Sequence, residues 1–223
     1  MSPAPPPLDA AAPTDAARTA VALGCFWGPD ARFGAVEGVI RTRVGYAGGT
    51  TAAPTYDDIG DHIETVWIEY DPAQVDYAGL LLLFWASHDP TCAPFKRQYQ
   101  PALFPQTDRQ AEQARASRTA RKQETGALTT EIIAEASFHR AESYHQNYKL
   151  RRHPVLFDAV RQNYPTDEAF ISAPAATLVN GYVGGHRAPR HLDGDLPRLS
   201  LPREAAQRLR TVAARRHDAS LPE

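Results

Sequence analysis

The longest uninterrupted apolar run in the chain is Leu80 to Ala86. It falls far short of the ~20 residues that cross a bilayer. The core must therefore be assembled from many short segments, each apolar on one side. A chain of 223 residues can do this as one domain with appendages. Hydrophobic residues make up 43% and charged residues 22%, the balance of a folded globular chain. With 24 basic and 26 acidic residues the net charge is −2, which excludes a general binder of nucleic-acid phosphates. Two cysteines exclude a disulfide scaffold and leave one reactive thiol or a reactive pair.

Residues 1–17 are rich in Pro and Ala, and Pro3, Pro5, Pro6 and Pro7 withhold backbone donors. This stretch reads as a disordered tail. It has neither the basic start nor the apolar centre of a secretory signal, so a cytoplasmic location is expected. Thr19 to Gly24 reads as a buried strand, Val39 to Tyr46 as a second, and Glu64 to Tyr70 as a third with Val66, Ile68 and Tyr70 on one face. Tyr77 to Ser87 reads as a buried helix and Asp108 to Glu124 as a solvated one. Between them Pro101 allows at most a broken or edge strand. Thr129 to Ala136 is strand-like, and short helices are expected over Ala141 to Tyr148 and Val155 to Asn163. Ser200 and Pro202 open a last helix with Ala205, Leu209, Val212 and Ala213 on one side. Strands and helices mix without strict alternation, which predicts an α+β fold: a small, mostly antiparallel or mixed sheet with packed helices. The expected division is a tail over 1–17, a catalytic domain over 18–183 and a C-terminal extension with one helix over 184–223.

Cys25 falls between the end of the first strand and a helix start marked by Gly28-Pro29-Asp30. Unpaired N–H groups at such a start favour a thiolate. Gly24 and Gly28 allow close approach, and one or both of Phe26 and Trp27 can line a pocket for an apolar or sulfur-bearing group. No Cys-x-x-Cys or His-x-x-x-His spacing occurs, so no metal site is expected.

The stretch Gly24-Cys25-Phe26-Trp27-Gly28 resembles the active-site motif of the A-type peptide methionine sulfoxide reductases. Further segments resemble that family in the same order: Val44-Gly45-Tyr46-Ala47-Gly48-Gly49, Pro54-Thr55-Tyr56, His62-Ile63-Glu64, Phe84-Trp85 through His88-Asp89-Pro90, Gln98-Tyr99, Thr129-Thr130-Glu131-Ile132, and Ala141-Glu142-Ser143-Tyr144-His145-Gln146-Asn147-Tyr148. The resemblance runs from about Val21 to Tyr148. It implies a core around a ferredoxin-like βαβ unit, and reduction of methionine S-sulfoxide, free or in proteins. By that resemblance Cys25 attacks the sulfoxide sulfur, Glu64 supplies the proton, Tyr56 and Tyr99 hydrogen-bond the oxygen, and Phe26 and Trp27 hold the S-methyl group. It further implies no bound cofactor, an external thiol reductant (thioredoxin, glutaredoxin or a small thiol), no nucleic-acid or membrane partner, and action as a monomer.

Two departures from the family pattern stand out. The segment between Tyr56 and His62 is short and lacks a Cys-x-Gly stretch. The segment Thr91 to Gln98 lacks the family's Gly-Asn-Asp acid and carries Cys92 instead. Either Cys92 resolves an oxidised Cys25 or an external thiol does so directly. The departures leave open a non-catalytic relative that binds methionine-containing peptides, or a reductase of another sulfur substrate on the same scaffold.

Overall fold

The computed structural model describes residues 4–218. Six strands form one mixed sheet in the order β5-β4-β1-β3-β2-β6. They are β1 (Ala17–Ala22), β2 (Val39–Ala47), β3 (Ile63–Tyr70), β4 (Ala102–Phe104), β5 (Glu131–Ile132) and β6 (Phe138–Arg140). β3 is antiparallel to both β1 and β2. The two outer strands therefore run parallel to each other, and the α-helix that joins them makes a split βαβ unit with β3 in its centre. That helix is α2 (Trp27–Gly34). This is the α+β arrangement expected from the sequence.

The remaining helices are α1 (Pro7–Ala10), α3 (Tyr77–Ala86), α4 (Asp108–Thr125), α5 (Tyr148–Arg151), α6 (Pro154–Arg161), α7 (Asp167–Ile171), α8 (Pro174–Val183), α9 (Leu192–Asp195) and α10 (Arg203–Asp218). The apolar face of α3 closes one side of the sheet, with Leu80, Leu81, Phe84 and Trp85 against Val21, Val66 and Ile68. Asp76 caps that helix by accepting from the Gly79 N–H at 2.8 Å. A second core is wholly helical and centres on α8, where Val179, Tyr182 and Val183 meet Leu150, Leu156 and Phe170. α8 lies directly against α2: a Cβ on Gly181 would stand 2.9 Å from the Ala35 Cα, so only glycine permits this approach.

Several expectations are corrected. Residues 1–17 do not form a disordered tail over their described part. α1 docks on the helical core, with the Asp9 carboxylate accepting from Tyr164 Oη at 2.7 Å and from the Ala175 N–H at 2.8 Å. Those two bonds, with Leu8 packed on the helical core, hold the segment in place. β4 is an internal strand, paired with both β1 and β5; Pro101 and Pro105 flank it instead of interrupting it. The strand expected over 129–136 shortens to β5, and Ala141 to Tyr148 forms a 3-10 turn at Ser143–His145 instead of a helix. The segment beyond residue 183 carries α9 as well as the one helix expected there, and Leu192, Leu199, Ala205, Leu209, Val212 and Ala213 pack with Tyr182 and Val183.

Candidate active site

Gly24, at φ +93°, turns the chain out of β1 and delivers Cys25 to the mouth of α2. The sulfur accepts a hydrogen bond from the Trp27 N–H, one of the unpaired donors of the first helical turn. This is the stabilisation expected from the sequence, but it is outweighed. Burial of the sulfur's surroundings and the nearby Glu64 carboxylate push the thiol above its ordinary range, although part of the side chain opens to solvent. Cys25 therefore rests as a thiol.

Glu64 is the group that faces it. It sits near the start of the central strand β3, opposite Tyr46 of β2, and is 2% exposed. Its Oε2 accepts from the Phe26 N–H at 3.0 Å and its Oε1 from Gln98 Nε2 at 2.6 Å. A third hydrogen bond joins it to Cys25. These donors favour the carboxylate, yet desolvation exceeds them and raises the carboxyl above its usual range.

Tyr56 and Tyr99 stand on separate loops. Tyr56 lies 4.7 Å from the His145 ring, which packs on Phe26, and Tyr99 follows Gln98, the donor to Glu64; burial above all, and then the charges of Glu64 and Cys25, raise both phenols. The Tyr56 N–H donates to Glu142 Oε1 at 2.9 Å. Tyr99 closes the 3-10 turn Arg97–Tyr99. Trp27 stacks on Tyr148 with ring centroids 3.8 Å apart and planes 6° apart. Phe26 is only 1% exposed and packs on Tyr46 and His145, so it backs the wall of the site and does not present surface.

A thiol, a buried carboxyl and two phenols thus converge where β1, β3 and two loops meet. The family model described as peptide methionine sulfoxide reductase matches residues 17–176, a span that contains all of them. The chain belongs to the peptide methionine sulfoxide reductase family. It is an oxidoreductase of methionine sulfoxide. A peptide methionine sulfoxide reductase of Drosophila melanogaster is 38% identical over 166 residues, 73% of this chain and 66% of that protein. Peptide methionine sulfoxide reductase A5 of rice is 42% identical over 182 residues, 78% of this chain and 71% of that protein. Among solved structures, methionine sulfoxide reductase A of Corynebacterium diphtheriae superposes with a TM-score of 0.57 at 27% identity, covering 70% of this chain and 88% of that one. Reduced Mxr1 of Saccharomyces cerevisiae shares the fold, with a TM-score of 0.58 at 24% identity over 64% of this chain and 88% of that one.

Sequence reasoning assigned no role to three side chains that build the site and a fourth that anchors α2 beneath it, although the first three lie in segments already matched to the family. Gln98 reaches Glu64 directly. Glu142 joins Tyr56 to the sheet, because its Oε2 also accepts from Tyr46 Oη at 2.8 Å. His145 is 1% exposed, and its Nδ1 accepts from Trp27 Nε1 at 3.1 Å. Burial lowers its tendency to protonate, and acceptance at Nδ1 leaves Nε2 as the nitrogen that carries the ring proton. The fourth, Asp30, is buried in α2 and accepts from Thr42 Oγ1 at 2.6 Å and Asn180 Nδ2 at 2.9 Å. Its only sequence signal was an acid in a first helical turn, and burial pushes its pKa up to about 6.

The second cysteine is Cys92. It lies in the turn after α3, exposed, with Sγ 3.2 Å from Asp89 Oδ2. His62 is a structural residue: Gly49 N–H reaches its Nδ1 at 3.2 Å and its Nε2 meets the Thr51 carbonyl at 2.9 Å. Among the described residues no group of three or more His, Cys, Asp or Glu is placed to hold a metal ion. A separate pocket of about 160 Å³, lined by residues that include Leu8, Val39, Pro174 and Arg187, contains none of these reactive groups. No helix among the described residues is long and apolar enough to cross a membrane.

Proposed function

We propose that Cys25 reduces methionine S-sulfoxide, free or in proteins, with Glu64 as the proton donor. The observation that carries this is the hydrogen-bonded pair formed by the Cys25 thiol and the buried Glu64 carboxyl, both raised above their ordinary ranges. The pair shares one proton in the resting enzyme. When it resides on Glu64, Cys25 is the nucleophile and the acid is ready in the same microstate.

The thiolate donates an electron pair to the sulfoxide sulfur while the sulfoxide oxygen takes the Glu64 proton. Tyr56 and Tyr99 donate hydrogen bonds to that oxygen as negative charge gathers on it. Trp27, fixed by Tyr148 and His145, flanks the S-methyl group. The oxygen ends on Cys25 as a sulfenic acid and methionine leaves, so the thiol sulfur is oxidised by two electrons and the sulfoxide sulfur is reduced by two. Regeneration consumes two thiols and releases water and a disulfide. The solvent opening at Cys25 suits an external reductant, a thioredoxin- or glutaredoxin-like protein or a small thiol. Two unpaired thiols fit a reducing compartment such as the cytoplasm, and the chain is taken to act as a monomer.

The test is incubation with racemic methionine sulfoxide and dithiothreitol, followed by chiral analysis of what remains. Loss of the S epimer alone supports the reading. Loss of neither epimer, with oxidised peptides still bound, would assign the chain to binding; loss of a different sulfur compound only would reassign the substrate.

A further inference from the structure

Five large apolar side chains are exposed among the described residues, and three of them stand around the Cys25–Glu64 pair. Leu82 on α3 and Val155 on α6 are the other two. Phe95 is 82% exposed and rides on Tyr99 with ring centroids 5.1 Å apart. Tyr144 is 54% exposed and lies 4.1 Å from the His145 ring, which in turn lies 4.7 Å from Tyr56, itself 37% exposed. The rings thus follow one another from Tyr144 through Tyr56 to the reacting groups, and from Tyr99 outward to Phe95.

Single exposed apolar residues are ordinary, but a gathered set marks a contact surface. The loop bearing Phe95 is not loose. The Thr129 N–H donates to the Pro90 carbonyl at 2.9 Å, Thr129 Oγ1 donates to the Cys92 carbonyl at 3.1 Å, and the Tyr99 N–H closes its far end on Lys96 O at 3.0 Å. Phe95 is held out between these two ties, next to the rigid Pro94. The exposed ring adds nothing to either core. It offers a flat apolar surface just outside the space needed for a sulfoxide and its methyl group.

We infer that Phe95 and Tyr144 form an apolar rim that binds the side chains flanking methionine sulfoxide in an unfolded polypeptide, and so make apolar-flanked sites the preferred substrates. This rests on the reading of the Cys25 site given above and names its substrate class more closely. Buried methionines sit among apolar neighbours, so a segment oxidised and then exposed by unfolding carries the flanks this rim accepts.

The experiment uses end-blocked tripeptides with methionine S-sulfoxide between two leucines or between two glycines, with dithiothreitol as the only reductant. The wild-type kcat/KM should favour the leucine peptide by about tenfold, the worth of burying part of one apolar side chain. Phe95→Ser and Tyr144→Ser should each shrink that ratio, and the double variant should bring it near one. Phe95→Leu, which keeps an apolar surface, should retain most of it. The glycine peptide monitors the intact enzyme in every variant. A wild-type ratio near one, with both peptides reduced, overturns the rim and leaves the reductase reading standing. Reduction of neither peptide overturns both. An unchanged ratio in the double variant, with turnover slowed only when a thioredoxin replaces dithiothreitol, overturns the proposal and assigns the rim to the reductant.

Discussion

Gln98 Nε2 lies 2.6 Å from Glu64 Oε1, while the Phe26 N–H occupies the other carboxyl oxygen at 3.0 Å. Glu64 is thus clamped on both oxygens by donors, against a burial that favours its neutral form. The competent microstate requires one proton on the Glu64–Cys25 pair. Below the lower titration of the pair the thiolate is lost, and above the upper one the acid is lost, so kcat/KM should be bell-shaped in pH. Removing a donor to the carboxylate disfavours the charged form. Gln98→Leu should therefore move the acid limb to higher pH, by up to one unit for the loss of one hydrogen bond to a charged group, worth about 1.5 kcal/mol. A pH profile with an unmoved acid limb would remove Gln98 from the machinery.

Glu64→Gln should separate nucleophilicity from proton supply. The Glu64 carboxylate is one of the groups that raises Cys25. Without it the thiol should ionise at lower pH, and alkylation by iodoacetamide should accelerate near neutrality. Sulfoxide turnover should nevertheless fall by ~10²–10⁴-fold, the usual worth of general acid catalysis. Parallel loss of both activities would indicate a disturbed fold.

Cys25→Ser leaves a hydroxyl where a thiol must yield two electrons. Turnover should disappear, and activity within tenfold of wild type, about 1.4 kcal/mol in barrier, would dismiss Cys25 as the nucleophile.

Tyr56→Phe and Tyr99→Phe each remove one donor to the developing oxygen charge. Each should lower kcat by roughly 10²-fold with little change in KM. A rise in KM at constant kcat would assign the phenol to ground-state binding instead.

The fate of the oxidised enzyme tests Cys92. One equivalent of substrate is added without reductant, thiols are blocked and peptides are analysed by mass. Because Cys92 is exposed and its Sγ is turned to Asp89 Oδ2 at 3.2 Å, the expected product is an alkylated Cys92 beside an oxidised Cys25. A peptide pair linked through Cys25 and Cys92 would instead establish an internal relay.

Much of this was readable in advance because it lay in local patterns. The alternation of Val66, Ile68 and Tyr70 marks β3, and the Pro- and Gly-free stretch from Asp108 marks α4. Cys25 and Glu64 came from the motifs around them. α8 escaped notice because it is buried on nearly every side and so shows no polar face for a period to reveal. α1 escaped because its order depends on Asp9 meeting Tyr164 and Ala175, more than 150 residues away in the chain. Gln98 and Glu142 are polar residues of ordinary type; their importance lies in what tertiary structure sets opposite them. The burial of Phe26 was not legible either, because side-chain direction at a strand-to-helix corner cannot be read from order alone.

The central position of β3 has a mechanical consequence. Its backbone is bonded to a neighbour on either side along most of its length, with Glu64 itself at the end paired to β2. Such a strand is among the last to exchange its amide hydrogens or to yield to strain. Cys25, Tyr56 and Tyr99 all hang from turns or loops at its margin. The acid is thus the fixed datum of the site, and any accommodation to substrates of different bulk falls to the loops. Evolution could reshape those loops, shortening one and rebuilding another, without moving the point from which the proton is delivered.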